Sequence, residues 1–477
     1  MYTDPREFVE TIAGPLGWFY VVVCVLNVGA AICAWRRKSS RHTPCAVRGD
    51  SEKHSTSSTD DASDRTPVNG TSADGTRSVP ATIGWLIVAA VFGVLATLSF
   101  AGRPPVMPDR LKLAIDGLFS PVSFTLGSFG LLTVLYLGRT FFVKPVVAWA
   151  AFNALLLFMG LSMTDPVFAS IVTKPDNVPI VAMVYLLGFF TWLGVWQAVC
   201  NDQRNQAGKP PAEKDFQEKV LTWPDLVYPE LICMILVTVL LVVWSLVLRA
   251  PLEGPANPAV TPNPSKAPWY FLGLQELLVF SDPWLVGVVV PCLIVFGLAA
   301  IPYLDRNPEG SGYYTIDKRK FAFCTFQFGF LALWVLLILI GTFFRGPNWN
   351  FFGLYEVRDP HKVAALCNVK LSEYFWVILL GRGLPQAPAG AGAIARLGYV
   401  LWREIAGIVF LAVYFIAAPP LLGRTILKRF RRDMGFWRYT LMTVLLLLML
   451  TIPLKMILRW TLNLNYIVSI PEYLLNF

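Results

Sequence analysis

Histidine and charge are what this chain has least of. Only three of its 477 residues are histidine: His42, His54 and His361. None lies in an apolar run, whereas a membrane haem held by two imidazoles needs histidines on facing helices at bilayer depth. The chain is therefore expected to ligate no such haem. Its eight cysteines include no Cys-x-x-Cys-His, which excludes a c-type haem attachment site. Cys24, Cys33, Cys200, Cys233, Cys292 and Cys324 fall in or at the ends of apolar runs. Their spacing suits neither zinc nor an iron–sulfur cluster, so they read as small packing residues. Charged residues make up 15% of the chain, well under the roughly 25% of soluble proteins. Few of them interrupt the apolar runs, which counts against a pump with a relay through the bilayer centre. Glu404 and Lys455 sit near the margins of the last two runs, where a lysine is expected to snorkel. No pair of broken runs in matching positions points to a secondary transporter.

What is present is apolar length. About 20 helical residues cross about 30 Å of hydrocarbon, and about ten runs approach that length. They lie near 14–35, 82–101, 119–137, 146–163, 179–199, 231–248, 286–304, 321–344, 405–422 and 439–458. The runs are continuous rather than alternating, which excludes a membrane β-barrel. An all-α polytopic membrane protein is the expected fold, because lipid offers the backbone no other hydrogen-bond partners. The basic clusters "RRKSSR", "DKRK" and "KRFRR" fall on one side if the N-terminus lies outside, as the positive-inside rule requires. The formal charge of +9 then needs only anionic lipid headgroups, not nucleic acid, to explain it.

The expected organisation begins with a first span at 1–35 and a polar inner tether at 36–81. That tether is rich in Ser, Thr, Asp and Gly and has too little apolar surface to order itself. A four-span bundle of no assigned role follows at 82–200. Residues 106–121 read as a short interfacial helix with Leu111, Leu113, Ala114 and Leu118 on one face. A distinct region covers 220–380, and 381–477 holds the end of an outer loop and two last spans.

The most informative stretch is "TPNPSKAPWYFLGLQELLVFSDPW", residues 261–284, inside the loop 250–285 between two spans. Its prolines stiffen an extended entry. Then "WYFLGLQELL" predicts a short helix that places Trp269, Leu272, Gly273 and Glu276 on one side. Pro268 suits the first turn, and Gly273 leaves space for a flat group to approach. A bland alternative is an interfacial aromatic anchor.

The ordered string "PANPAVTPNPSKAPWYFLGLQELL" resembles the loop between the fifth and sixth helices of cytochrome b. The likeness extends through "WPDLVYPE", "LDRNPEGS" and "FFRGPNWNFF", over about 220–380. The chain looks like the haem-free, subunit IV-like half of a split cytochrome b, with extra spans at both ends. That resemblance implies a subunit of a quinol:cytochrome c oxidoreductase in a prokaryotic cytoplasmic membrane. The loop would form part of a quinol-oxidation pocket at the outer, positive face. A haem-bearing cytochrome b, a Rieske iron–sulfur protein and a c-type cytochrome would be its partners in a multi-subunit, dimeric complex.

Quinol oxidation needs a proton acceptor and flat apolar walls. Pro268, Trp269, Tyr270, Phe271 and Leu272 are the expected quinol-binding residues, with Tyr270 also offering a hydroxyl. The family's usual acceptor is the glutamate before its Trp-Tyr pair, and here Pro268 occupies that place. Glu276 is then the first candidate acceptor and Asp282 the second. Family variants without that glutamate are associated with menaquinol, which makes menaquinol the favoured substrate. The outer loop 345–400 is long enough to meet an outer haem protein or iron–sulfur head. A different class remains open, a transporter or assembly subunit without a quinol site. Gene neighbourhood or co-purification would tell the two apart.

Overall fold

The computed structural model describes residues 5–37, 78–216, 219–247, 255, 257–259, 261–307, 312–363 and 367–477. The expected polar tether lies almost wholly outside the described residues. Among them, nine helices are long and apolar enough to cross a membrane: Glu7–Arg36, Thr82–Phe100, Pro145–Ser162, Asn177–Gln206, Thr222–Val247, Leu285–Leu304, Lys320–Phe344, Ile405–Arg424 and Phe436–Leu462. The all-α polytopic fold is as expected. The tenth expected span is a bent pair, Asp109–Leu118 and Pro121–Leu137, meeting at 84°. Ser120 accepts from the Ser123 amide and Pro121 opens the second helix, so a fresh helix start interrupts the run. The second piece has 17 residues, reaching only about 26 Å at 1.5 Å per residue. The first piece is the expected short amphipathic helix, with Leu111, Leu113 and Leu118 exposed.

The chain forms two compact units. The first comprises Met1–Leu113, Val134–Pro255 and Ser311–Lys318; the second comprises Ala114–Thr133, Ala256–Gly310 and Arg319–Phe477. In the first unit, Leu16, Tyr20 and Val23 of Glu7–Arg36 pack against Phe92 and Ala96 of Thr82–Phe100. Apolar packing alone selects register weakly in lipid, and polar side chains supply the rest. Asn27, fully buried, donates to Asn153 Oδ1 at 2.6 Å and accepts from Trp149 Nε1 at 2.9 Å. Asp202 accepts from the amides of Ile316 and Asp317, pinning that short segment to the end of Asn177–Gln206.

The second unit has its core around Leu277, Phe280, Val286, Leu337 and Met456. Phe436–Leu462 contributes a stripe at every fourth residue: Tyr439, Thr443, Leu447, Thr451, Lys455 and Arg459, all buried. Lys455 therefore does not snorkel; it is 3% exposed on the inward face of its helix. Glu404 stands just before Ile405–Arg424, at the expected margin, and is buried there, accepting from Arg403 Nε and the Ser469 amide, each at 3.0 Å. Residues 463–477 fold back along this unit. The Ile467 carbonyl lies so near Gly407 that a Cβ there would come within 2.1 Å of it.

Candidate functional site

The quoted loop lies wholly in the second unit, and its shape follows from how its ends are tied. Lys266 donates to the Thr342 carbonyl at 2.8 Å, and the Ala267 amide donates to Gln275 Oε1 at 2.9 Å. Asn263 and Asn348 exchange bonds of 2.9 and 2.6 Å. The proline-rich entry is thus held against the segment after Lys320–Phe344. Pro268 precedes a tight turn, Trp269–Phe271, and a short helix, Leu272–Leu277, continues from it.

That helix buries Leu272, Gly273, Glu276 and Leu277. The expected face holds for three of its four members, whereas Trp269 stands on the preceding turn and is exposed. Two expectations are corrected here. Leu272 is only 3% exposed, so its side chain is packed inside the chain and is not an open wall for a ligand. The space at Gly273 is taken by protein: a Cβ would meet Ile338 Cγ1 at 3.3 Å and the Trp334 carbonyl at 3.5 Å. Gly341 likewise lies against the Leu272 carbonyl, so the two glycines bring this helix and Lys320–Phe344 together.

Trp269, Tyr270 and Phe271 remain as an exposed aromatic edge, at 39%, 48% and 52%. Trp269 and Tyr270 meet edge-on with ring centroids 5.7 Å apart; Tyr270 and Phe271 meet at 4.7 Å. The rings present flat apolar surface next to one phenolic hydroxyl.

Glu276 is neither a surface cap nor a free carboxylate. Its side chain is 1% exposed, and Arg345 grips it with two bonds, Nε to Oε2 at 2.8 Å and Nη2 to Oε1 at 2.5 Å. Trp349 Nε1 adds a third at 3.1 Å. Burial pushes the Glu276 carboxyl above its ordinary range, while Arg345, Trp349 and the Lys266 charge pull it back. Bidentate geometry with both oxygens bonded is how a buried carboxylate is kept satisfied.

Arg345 and Trp349 sit in a reversal where Arg345 bridges Phe351 and the Gly346 amide donates to the Asn350 carbonyl. Asn348 and Trp349 both adopt positive φ, 57° and 56°. Such backbone persists for non-glycine residues only where surroundings enforce it. Here Asn348 is bonded to Asn263 and the Pro360 carbonyl, and Trp349 to Glu276. Beyond the reversal, the buried Phe352 ring lies between Arg358, 5.0 Å away, and Lys362, 4.3 Å away. Burial brings the Arg358 guanidinium down to about 10, against Glu356 and Asp116.

Asp282, the second candidate acid, is half-buried. It accepts from Asn476 Nδ2 at 2.8 Å and from the Trp284 amide at 3.3 Å. The two candidate acids therefore occupy separate environments, one inside an ion pair and one beside the returning tail. Sequence reasoning missed Arg345, Trp349 and Lys266. The signal for Arg345 was its place at the end of an apolar span before Gly-Pro, where a partly buried cation needs an acid.

Residues 255–344 match the family described as cytochrome b (C-terminal)/b6/petD. The match takes in the proline-rich entry, the aromatic turn and the two spans after it. It lies inside the expected 220–380 and is consistent with a C-terminal half of that family. It points to a component of a bc/b6f-type redox complex in a membrane. No curated protein and no solved structure matches the chain.

Proposed function

We propose, from a chain carrying a cytochrome b C-terminal segment at residues 255–344, that this protein is a membrane subunit of a quinol:cytochrome c oxidoreductase. It lends one wall to a quinol-oxidation pocket near the outer face, and the other walls come from a haem-bearing cytochrome b and a Rieske protein. One observation carries the reading. The exposed Trp269–Tyr270–Phe271 edge is mounted on a helix locked by the Glu276–Arg345–Trp349 cluster. A flat head group needs rigid apolar contact with few polar groups to orient it, and the edge supplies that with the Tyr270 hydroxyl.

Oxidation of one quinol releases two electrons and two protons. The electrons pass to metal centres in partner chains; this chain contributes surface and a proton route. Glu276 serves as a brace in this scheme. Its oxygens are both engaged, and breaking a buried ion pair costs about 3–5 kcal/mol. The proline at 268, in the place of the family's glutamate, is what favours menaquinol as the substrate.

The test separates brace from acceptor. Glu276→Gln alone leaves Arg345 buried without its partner and should cost about 3–5 kcal/mol in thermal unfolding of the complex. The double variant Glu276→Gln/Arg345→Met removes both charges, and is expected to restore assembly and to oxidise quinol with the native pH profile. An assembled double variant that has lost quinol oxidation would reinstate Glu276 as the acceptor.

A further inference from the structure

The long connection between Lys320–Phe344 and Ile405–Arg424 holds two short helices that the quinol wall does not use. Leu371–Glu373 runs on into Tyr374–Leu379, and Ala393–Arg403 follows. The longer has 11 residues, about 17 Å at 1.5 Å per residue, well short of the roughly 30 Å of hydrocarbon. Neither can span, yet each carries exposed apolar surface. At about 100° per residue, Ile394, Leu397, Leu401 and Trp402 fall on one half of Ala393–Arg403, and Arg396 and Arg403 on the other. All four apolar residues are exposed, Ile394 to 89%. On the neighbouring helix Ile378 and Leu379 are exposed as well.

The fold sets which side of Ala393–Arg403 turns outward, and at what level. Arg403 donates to Glu472 at 2.7 and 3.0 Å and to the Ser469 carbonyl at 3.2 Å, and Val400 is buried. The basic half is thus held against the returning tail. Trp376 Nε1 donates to the Arg403 carbonyl at 2.9 Å, and the Trp376 and Trp402 rings lie 5.5 Å apart, which joins the two helices. The Tyr439 hydroxyl donates to the Pro419 carbonyl and the Tyr414 hydroxyl to the Leu447 carbonyl. Ile405–Arg424 and Phe436–Leu462 therefore run antiparallel, and the start of the first is level with the end of the second. Both short helices are tied at that level. Ala393–Arg403 ends one residue, Glu404, before the first span. The Tyr374 hydroxyl donates to the Leu462 carbonyl, and the Leu371 amide to the Tyr466 carbonyl at 3.0 Å, at the end of the second.

We propose that these two helices form an interfacial platform immersed in the bilayer surface, with Ile394, Leu397, Leu401 and Trp402 facing lipid. The platform is continuous along the chain with the lipid face of Ile405–Arg424, where Val409, Val413 and Ile416 stand exposed at i, i+4, i+7. The residue types suit that level. The apolar half enters the headgroup–acyl boundary by about 5–10 Å, as in other interfacial helices. Trp402 stands at a span end, where indoles are favoured, and Arg396 stays with the headgroups. In water the same surface would be an aggregation liability. The second half of the loop 345–400 is thereby assigned to lipid and not to an outer redox partner.

The test uses the purified complex with the full chain in nanodiscs of phosphatidylcholine and phosphatidylglycerol. A ketone-bearing amino acid, introduced singly at Ile394, Leu397, Leu401 or Arg396, takes a spin label while the native cysteines stay untouched. All four positions are exposed, so the label displaces no packing within the chain. Oxygen, which partitions into lipid, and a water-soluble nickel chelate then report on each label by power saturation. The ratio of oxygen to nickel accessibility should be several-fold higher at Ile394, Leu397 and Leu401 than at Arg396. Equal ratios at all four positions would put the helix in water and overturn the proposal. Exclusion of both reagents at the three apolar positions would mean that a protein subunit covers the face, which overturns it too.

Discussion

Glu276 shows how one residue changes meaning between chain and fold. In sequence it is an acid on an apolar face, a natural candidate for a base with a raised pKa. In the structure the raised pKa is there in direction, but the carboxylate is gripped by Arg345 and Trp349. Glu472 is a simpler case. Its hydrogen bonds from Arg403, at 2.7 and 3.0 Å, hold its carboxyl below the usual range despite a small opposing effect of burial. A depressed folded-state pKa stabilises above the ordinary glutamate value, and that contribution is lost as pH falls through the depressed one. Acidification should therefore loosen residues 469–477 before the spans, seen as faster amide exchange in the tail. The effect should be modest, since Glu472 is 45% exposed and screened by water. Tail exchange that does not depend on pH in that window would count against the ion pair.

At the scale of elements, close backbone approach decides the packing. Gly273 and Gly341 allow the Leu272–Leu277 helix to seat on Lys320–Phe344, which fixes where the aromatic turn projects. Gly407 does the same for the returning tail, and there the obstruction is a carbonyl that no side-chain rotation can move. Gly407→Ala should destabilise the second unit by about 1–3 kcal/mol through overpacking. It should also release Ser469 from Glu404, read as a lower unfolding temperature with raised exchange at the Ser469 amide. A neutral outcome would mean that the tail docks differently.

At the scale of the whole molecule, the Trp269–Tyr270–Phe271 edge is half exposed, and the proposed function has another subunit complete it. Trp269→Leu keeps apolar bulk but removes a ring. It should raise KM for quinol by about 2- to 10-fold, the equivalent of about 0.5–1.5 kcal/mol for an aromatic contact, with assembly unchanged. Unaltered kinetics across a series of head groups would place the substrate elsewhere. Most of the first unit lies outside the match at 255–344, and its order comes from Asn27 with Asn153 and, at the short stretch of the match that belongs to this unit, from Asp202 with residues 316–317.

The amino-acid sequence by itself determined the class and the place of the loop. Long apolar runs can satisfy their backbone in lipid only as helices, and the ordered string from Pro255 to Leu278 sits between two of them. It also marked Trp269, Tyr270 and Phe271, because aromatic residues beside prolines leave a local signature. The tertiary structure decided the rest: that Leu272 and Gly273 face protein, that Glu276 belongs to Arg345, and that Lys455 lies on the inward face of its helix. The Glu276–Arg345 pair joins residues 69 positions apart in the chain. Local periodicity reports which face of a helix is apolar, but the partner across it is set only when the elements pack.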